Sequence, residues 1–360
     1  MRKSINVFLN TLEAVRKYLL PFLFFIAAYN LLLFLQLQYR TMHKVRMRRL
    51  FLQLIILLGG MNVAYGQYDA QFSQYWMAMG YYNPAVAGNT DNINLFALHR
   101  QQWIGIEGAP KSFFVSADMP LTFGKTTHGV GVVGFTETIG LFQNTHVSAQ
   151  YAYKKKLFGG ILSIGIQAGM VNQSFDGTKV DIPESEFHTG TDEGIPNTKV
   201  EAMVLDLNAG IYYSHKDFYA GIASTHISEP ELALTENVYS YIGRAYNLTG
   251  GYNIQLRNPL YELQPSVFMK TDMQSFQTDI TARLVYNKMF NGGLSWRVNE
   301  SVVLSIGALI GGFQVGYAYD FPTSAILKGS TGSHELMIRY KLKLTKTKTG
   351  KNKHKSVRIL

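Results

Sequence analysis

Residues 334–344 read HELMIRYKLKL, and that strict alternation leaves few ways to fold. In an extended strand Leu336, Ile338, Tyr340, Leu342 and Leu344 share one face. Glu335, Arg339, Lys341 and Lys343 share the other. The stretch THVSAQYAYK repeats the pattern, with Val147, Ala149, Tyr151 and Tyr153 opposite His146, Ser148 and Gln150. After Gln67 no apolar run is long enough for a transmembrane helix. Fourteen segments of this kind are expected: 93–100, 111–119, 128–138, 144–154, 161–173, 202–213, 217–226, 243–254, 260–270, 278–287, 291–298, 301–310, 313–321 and 334–344.

The connections separate a soluble sandwich from a membrane barrel. Counted from the first strand, the odd ones include 101–110, 174–201, 227–242 and 322–333, which are long, with brief links near 139–143 and 299–300 as exceptions. The even ones include SHK at 214–216, KMF at 288–290 and GG at 311–312, with 120–127 of medium length. Long loops on one rim and short turns on the other, with an even strand number, predict an all-β transmembrane antiparallel β-barrel of the outer-membrane type. Both barrel termini then lie in the periplasm. The acidic stretch within 174–201 falls on the extracellular rim, and KKK at 154–156 on the periplasmic one.

Charge excludes one function class. The formal net charge of +10 divides into +8 for residues 1–66, +6 for 346–360 and −4 for the body between them. A mildly acidic body lacks the basic face that nucleic-acid binding needs, so no nucleic-acid partner is expected. Charged residues make up 16%, against roughly 25% in an ordinary soluble domain. With no cysteine, disulfides, thiolate zinc sites and cysteine nucleophiles are impossible.

The N-terminus reads as a targeting segment. MHKVRMRR at 42–49 is a basic n-region, LFLQLIILLGG at 50–60 an apolar h-region, and AYG at 64–66 a small-x-small cleavage signal. Residues 42–66 are therefore expected to be a secretory signal peptide. A second apolar run at 18–37 precedes it, an odd arrangement. Translation is expected to start at Met42 or Met47, with 1–41 a doubtful extension; the alternative is an inner-membrane anchor. Residues 345–360, basic and interspersed with Thr, Gly, Asn and Ser, cannot build a core and are expected to be a periplasmic tail.

No G-x-S-x-G, H-E-x-x-H or Walker loop occurs. Ser73 or Ser333 beside His334 has no spacing that supports a triad, and His215 and His226 read as strand-end or loop residues. Three constellations stand out. YYNPAVAG precedes the first strand: Asn83-Pro84 starts a turn, while Ala85, Ala87 and Gly88 allow close packing. This is either a lead-in turn or, with 67–92, a plug-like segment folded into the lumen. HRQQWIGIEGAPKS closes the first hairpin: Arg100 and Gln102 are polar, Trp103 is an amphipathic ring, and Gly105, Gly108 and Pro110 set the turn. It is an interfacial anchor, a partner-contacting loop or a loop folded into the pore. GYAYDF and SHEL place Tyr317, Tyr319, Asp320, His334 and Glu335 near one rim. Arg339 is expected as the nearest partner for Asp320 and Glu335.

These stretches resemble one family. QFSQYWMAMGYYNPAVAG, then HRQQWIGIEGAPKSFFVSADMPL, then GYAYDF followed by GSHELMIRY are similar to the PorP/SprF family of type IX secretion system membrane proteins, from about Gln67 to Leu344. The 1–66 extension and the basic tail depart from the family's pattern. The resemblance implies an outer-membrane barrel of bacteria that secrete and glide with this system. It implies partners among secreted cargo proteins or adhesins, other type IX secretion subunits and outer-membrane lipid. It implies no enzyme, no catalytic residues and no cofactor. The family is also similar to fatty-acid-transporter-like barrels, whose N-terminal Asn-Pro-Ala turn plugs the barrel; Asn83, Pro84 and Ala85 match that turn. A plugged channel for a small apolar solute is the alternative function.

Overall fold

The computed structural model describes residues 69–124, 126–180, 195–236 and 238–344. The expectations for 1–66, for the acidic stretch at 181–194 and for the tail at 345–360 lie outside the described residues.

A short helix, α1 (Met79–Tyr82), and a 3-10 turn (Pro84–Val86) precede the strands. These are β1 (Asn92–Gln101), β2 (Lys111–Phe123), β3 (Thr126–Ile139), β4 (Phe142–Leu157), β5 (Gly160–Asp176), β6 (Lys199–Ser214) and β7 (Phe218–Thr225). Then come β8 (Glu231–Ala233), β9 (Tyr239–Tyr241), β10 (Ala245–Tyr252), β11 (Ile254–Gln255), β12 (Tyr261–Thr271) and β13 (Phe276–Tyr286). The last are β14 (Phe290–Arg297), β15 (Ser301–Ile310), β16 (Phe313–Pro322) and β17 (Ser333–Lys343). Neighbours pair antiparallel; β1 pairs with β17, and β10 pairs with β12 across the small β11. The ring is thus closed by fourteen strands, and a closed ring leaves no ladder edge unpaired. Strands β8 and β9 form a separate hairpin in the β7–β10 connection.

The fourteen expected strands are the fourteen ring strands, with ends displaced by no more than four residues. The largest displacement corrects a loop. The second strand was expected to end at residue 119, but the ladder continues to Phe123 with Pro120 opposite Gly129, so the medium connection 120–127 shrinks to 124–125. The remaining even connections among the described residues are short, except 253–260, which carries β11.

Alternation sets the faces. Val132, Val147, Ile166, Met203, Leu294, Ile306 and Leu336 are more than half exposed, on the face a transmembrane barrel presents to lipid. Their strand neighbours point inward. Inside the ring lie residues 69–88, and the core is the contact between them and the wall. Phe72, Tyr75, Trp76 and Tyr82 pack on Leu98, Phe114, Phe135 and Phe268. Phe72 lies 5.8 Å from Phe114 and Tyr82 4.5 Å from Phe268, ring centre to ring centre. Such pairs add about 0.5–1.5 kcal/mol each beyond burial.

Candidate functional site

The barrel interior is built by inward residues of the wall and by the chain that crosses it. Asp69 lies beside Thr225 and Lys270, at the long-loop ends of β7 and β12. Gly88 lies against Asp118 and Gly129, toward the short-turn ends of β2 and β3. Residues 69–88 therefore run the length of the lumen from the long-loop side to the short-turn side, rather than entering and returning from the short-turn side.

The turn Asn83-Pro84-Ala85 sits against β5, β6 and β7. Asn83 Oδ1 accepts the Ala85 N–H at 2.9 Å, capping the 3-10 turn. Asn83 Nδ2 donates to the carbonyls of Ile211 (3.1 Å) and Ile222 (3.4 Å) in the wall. Pro84 starts the turn with φ already fixed and no N–H to satisfy. The wall is glycine where the turn touches it: a Cβ at Gly165 would strike the backbone of Ala85, and one at Gly129 the carbonyl of Ala87. Gly88 has φ +62° and donates to Asp118 Oδ1 at 2.8 Å. Tyr81 donates to Asp69 Oδ1 at 2.9 Å, while the Tyr82 hydroxyl accepts the Phe72 N–H and reaches the Ala70 carbonyl.

Above this turn, toward the long loops, the segment meets a buried ion network. Arg100 is fully buried and donates to Asp320 Oδ2 at 2.7 Å and Glu335 Oε2 at 3.3 Å. Arg297, also fully buried, contacts Asp279 at 3.1 Å, Asp320 at 3.0 Å and Glu300 at 3.3 Å. The N-terminal segment completes this network. Glu335 accepts the backbone N–H of Ser73 at 2.6 Å and of Gln74 at 2.7 Å. Ser73 Oγ lies 2.5 Å from both Asp320 Oδ1 and Arg100 Nη1, and Gln71 donates to Asp279 at 3.1 Å. Buried charges persist only when paired and hydrogen-bonded; here part of that pairing comes from the segment itself.

A second anchor holds the start of the segment. His226, just beyond the end of β7 at φ +54°, places Nε2 3.5 Å from Asp69 and Nδ1 3.1 Å from Asp206. Burial pushes the imidazole pKa down, but the two carboxylates outweigh it and raise it to about 10. Burial pushes the Asp69 carboxyl up, yet the charges of His226 and Lys270 hold it far below the usual range. Lys270 also donates to the Asp69 carbonyl at 2.6 Å.

The expected constellations are rearranged by the strand faces. Arg100 is the next-to-last residue of β1 and points inward opposite Glu335, not into a loop. Gln102 and Pro110 are buried, Trp103 is half-buried at φ +46° and Gly108 is exposed. The 102–110 loop is tied to the next long loop: Trp103 N–H donates to Ser333 Oγ, and Ile104 exchanges backbone hydrogen bonds with Gly332 and Thr331. Asp320 and Glu335 share the interior, whereas Tyr317, Tyr319 and His334 lie on the outer face. There the Tyr317 hydroxyl contacts His334 Nδ1 at 2.5 Å, and the Tyr319 and His334 rings are 4.9 Å apart. The expected pairing of Arg339 with Asp320 and Glu335 is incorrect. Arg339 is four residues down the strand, donates to the Met77 carbonyl and lies 5.6 Å from the Phe96 ring centre. Ser73 is engaged by Asp320 and Arg100 while His334 faces outward, so they form no triad.

Arg297, Asp279 and the His226–Asp69 anchor escape motif reading. A signal for Arg297 and Asp279 does exist: each shares a face with small or polar residues at the long-loop end of an alternating strand. Among the described residues no group of His, Asp and Glu could hold a metal ion.

A family model described as "Type IX secretion system membrane protein PorP/SprF" matches residues 64–340. No curated protein matches at a significant level. Among solved structures, a FadL homologue from Pseudomonas aeruginosa is similar at 10% identity and TM-score 0.39, covering 73% of this chain and 94% of its own. The CymD monoaromatic hydrocarbon channel is similar at 12% identity and TM-score 0.42, covering 79% and 95%. The KdgM porin is similar at 9% identity and TM-score 0.31, covering 69% and 98%.

Proposed function

The chain belongs to the PorP/SprF family of type IX secretion system membrane proteins of the bacterial outer membrane, and we propose that it works by binding, not by catalysis or open transport. The long-loop rim holds a secreted cargo protein or adhesin, or another secretion subunit, while the barrel stays closed by its N-terminal plug. Orientation follows the loop lengths, with long loops outside the cell and both barrel termini in the periplasm. The outward apolar face is in contact with lipid. Loop 102–110 with Trp103, joined to the 330–332 loop, supplies a hydrogen-bonded patch of rim for the partner.

The observation that carries this reading is the seal across the long-loop half of the lumen: the wall's inward charges there are completed by residues 71–74 of the same chain. A scaffold tolerates such a seal, whereas an apolar-solute channel would need a path through it. The aromatic cluster is overlaid on the long-loop side by Arg100, Asp320 and Glu335, which disfavours the channel alternative.

Deleting the gene and comparing surface proteomes tests the proposal. Particular surface or secreted proteins should disappear and return on complementation; an unchanged surface proteome with intact uptake of apolar solutes contradicts it.

A further inference from the structure

The two ends of the lumen are occupied unequally. Toward the short turns, residues 83–88 lean on β3–β7, where Gly129, Lys154, Ser163, Gly165 and Tyr212 are buried. Toward the short-turn ends of β12–β17, the inward residues Gln264, Arg283, Asn291, Gln314 and Arg339 are only half-buried, and Lys341 is exposed. The lumen is therefore left open on that side as a vestibule facing the short-turn mouth.

Its arginines stand apart from the ion network of the long-loop end. Arg283 lies 5.1 Å from the Trp76 ring centre and donates to Gln264 Oε1. Arg339 is held by the Met77 carbonyl and the Phe96 ring. Among the described residues neither guanidinium has a carboxylate within ion-pair distance, whereas Arg100 and Arg297 have two and three. The acids nearby are Asp118, occupied by the Gly88 and Asn94 N–H groups, and Glu262, which accepts from Gln264. Lys341 and Lys343 extend the positive charge toward the mouth.

We infer that this vestibule is a binding site for a carboxylate-bearing peptide segment that enters from the short-turn side. A guanidinium fork recognises a carboxylate in two parallel hydrogen bonds. Arg283 and Arg339 are stacked on rings, so their direction is set before a ligand arrives. The site opens along the barrel axis rather than toward the bilayer, which suits a peptide and not a lipid headgroup. The basic residues after 344 are repelled by the same charge, so the occupant comes from another chain. The choice of a peptide rests on the protein-binding function proposed above; the anion site itself does not.

Calorimetry on the purified full chain in detergent micelles, with acetylated hexaglutamate amide at low salt, tests the inference. Saturable binding is expected, with none for hexaglutamine. Arg283→Gln/Arg339→Gln should weaken it by about tenfold or more, the loss expected for two charge-assisted contacts. If that variant does not fold, Gln314→Glu places a competing carboxylate opposite Arg339 in the β16–β17 register and should also weaken binding. No binding, or equal binding by these variants, overturns the site. Inorganic phosphate competing as well as hexaglutamate overturns the peptide assignment, as does displacement by phosphatidylglycerol but not phosphatidylcholine nanodiscs. Hexaglutamate binding alongside an unchanged surface proteome would strike the secretion reading alone; the reverse would strike the vestibule alone.

Discussion

Arg100 and Arg339 point into the same lumen from neighbouring strands, yet their surroundings differ. Arg100 has two carboxylates and the Ser73 hydroxyl around it and is sealed from water. Arg339 has a carbonyl, an aromatic face and partial access to solvent. The first is a structural charge whose pairing locks the N-terminal segment in place. The second has no carboxylate within ion-pair distance among the described residues. One barrel thus separates a sealed, ion-paired half from an open, cationic half, with residues 69–88 as the partition.

The largest way to break this contrast is to remove the partition. Deleting residues 69–88 should convert a barrel with almost no ion conductance into a persistent channel in planar bilayers. A deletion variant as closed as the whole chain would end the plug proposal.

Next in size is Arg100→Ala, which leaves Asp320 and Glu335 facing each other with one guanidinium lost. Breaking a buried pair in this way costs about 3–5 kcal/mol. The heat-induced shift in gel mobility should move to clearly lower temperature. Arg339→Gln, by comparison, removes one hydrogen bond and one cation–ring contact, about 1–2 kcal/mol together. If the two variants unfold at the same temperature, the division of the lumen is wrong.

A smaller effect should follow pH. The folded His226 pKa, near 10, exceeds its ordinary value of about 6.5. Its contribution is complete below about pH 6.5 and is lost as pH rises through about 10. Asp69 has the opposite sign: its depressed folded pKa adds stability above about pH 4 that is lost in stronger acid. The barrel's melting temperature should therefore fall from pH 6.5 to 10.5, and His226→Gln should flatten that slope. An unchanged slope in the variant would remove His226 from the anchor.

Much of the wall was legible in the sequence, because period-two alternation reports directly which side of a strand meets lipid. Fourteen strands and their loop asymmetry follow from that pattern and from turn residues. The end of the second strand was set four residues short, since a proline costs one ladder donor without ending a strand whose partner continues. The Asn83-Pro84-Ala85 turn was legible as a turn, but its partners, Gly165, Gly210 and Gly221 of β5, β6 and β7, are distant in sequence. The ion network was half legible. Asp320 and Glu335 were visible as a pair, while Arg100, the last residue of the expected first strand, was grouped with the hairpin loop although alternation turns it inward opposite Glu335. Asp279 meets Arg297 as its cross-strand partner in the β13–β14 hairpin, and the Arg297 side chain reaches Asp320 two strands away, a contact that no local spacing encodes. The constellation of Tyr317, Tyr319, Asp320, His334 and Glu335 divided because adjacent residues of a strand face opposite ways.

The chain has no cysteine, so single cysteines report on each half without background. Ser73→Cys lies in the sealed half and Lys341→Cys in the open one. With the folded full chain in outer-membrane vesicles opened to the periplasmic face, a water-soluble maleimide should label residue 341 rapidly and leave residue 73 unmodified until the barrel is unfolded. Labelling of both at similar rates would contradict the account, because the segment 69–88 would then neither fill the lumen nor divide it.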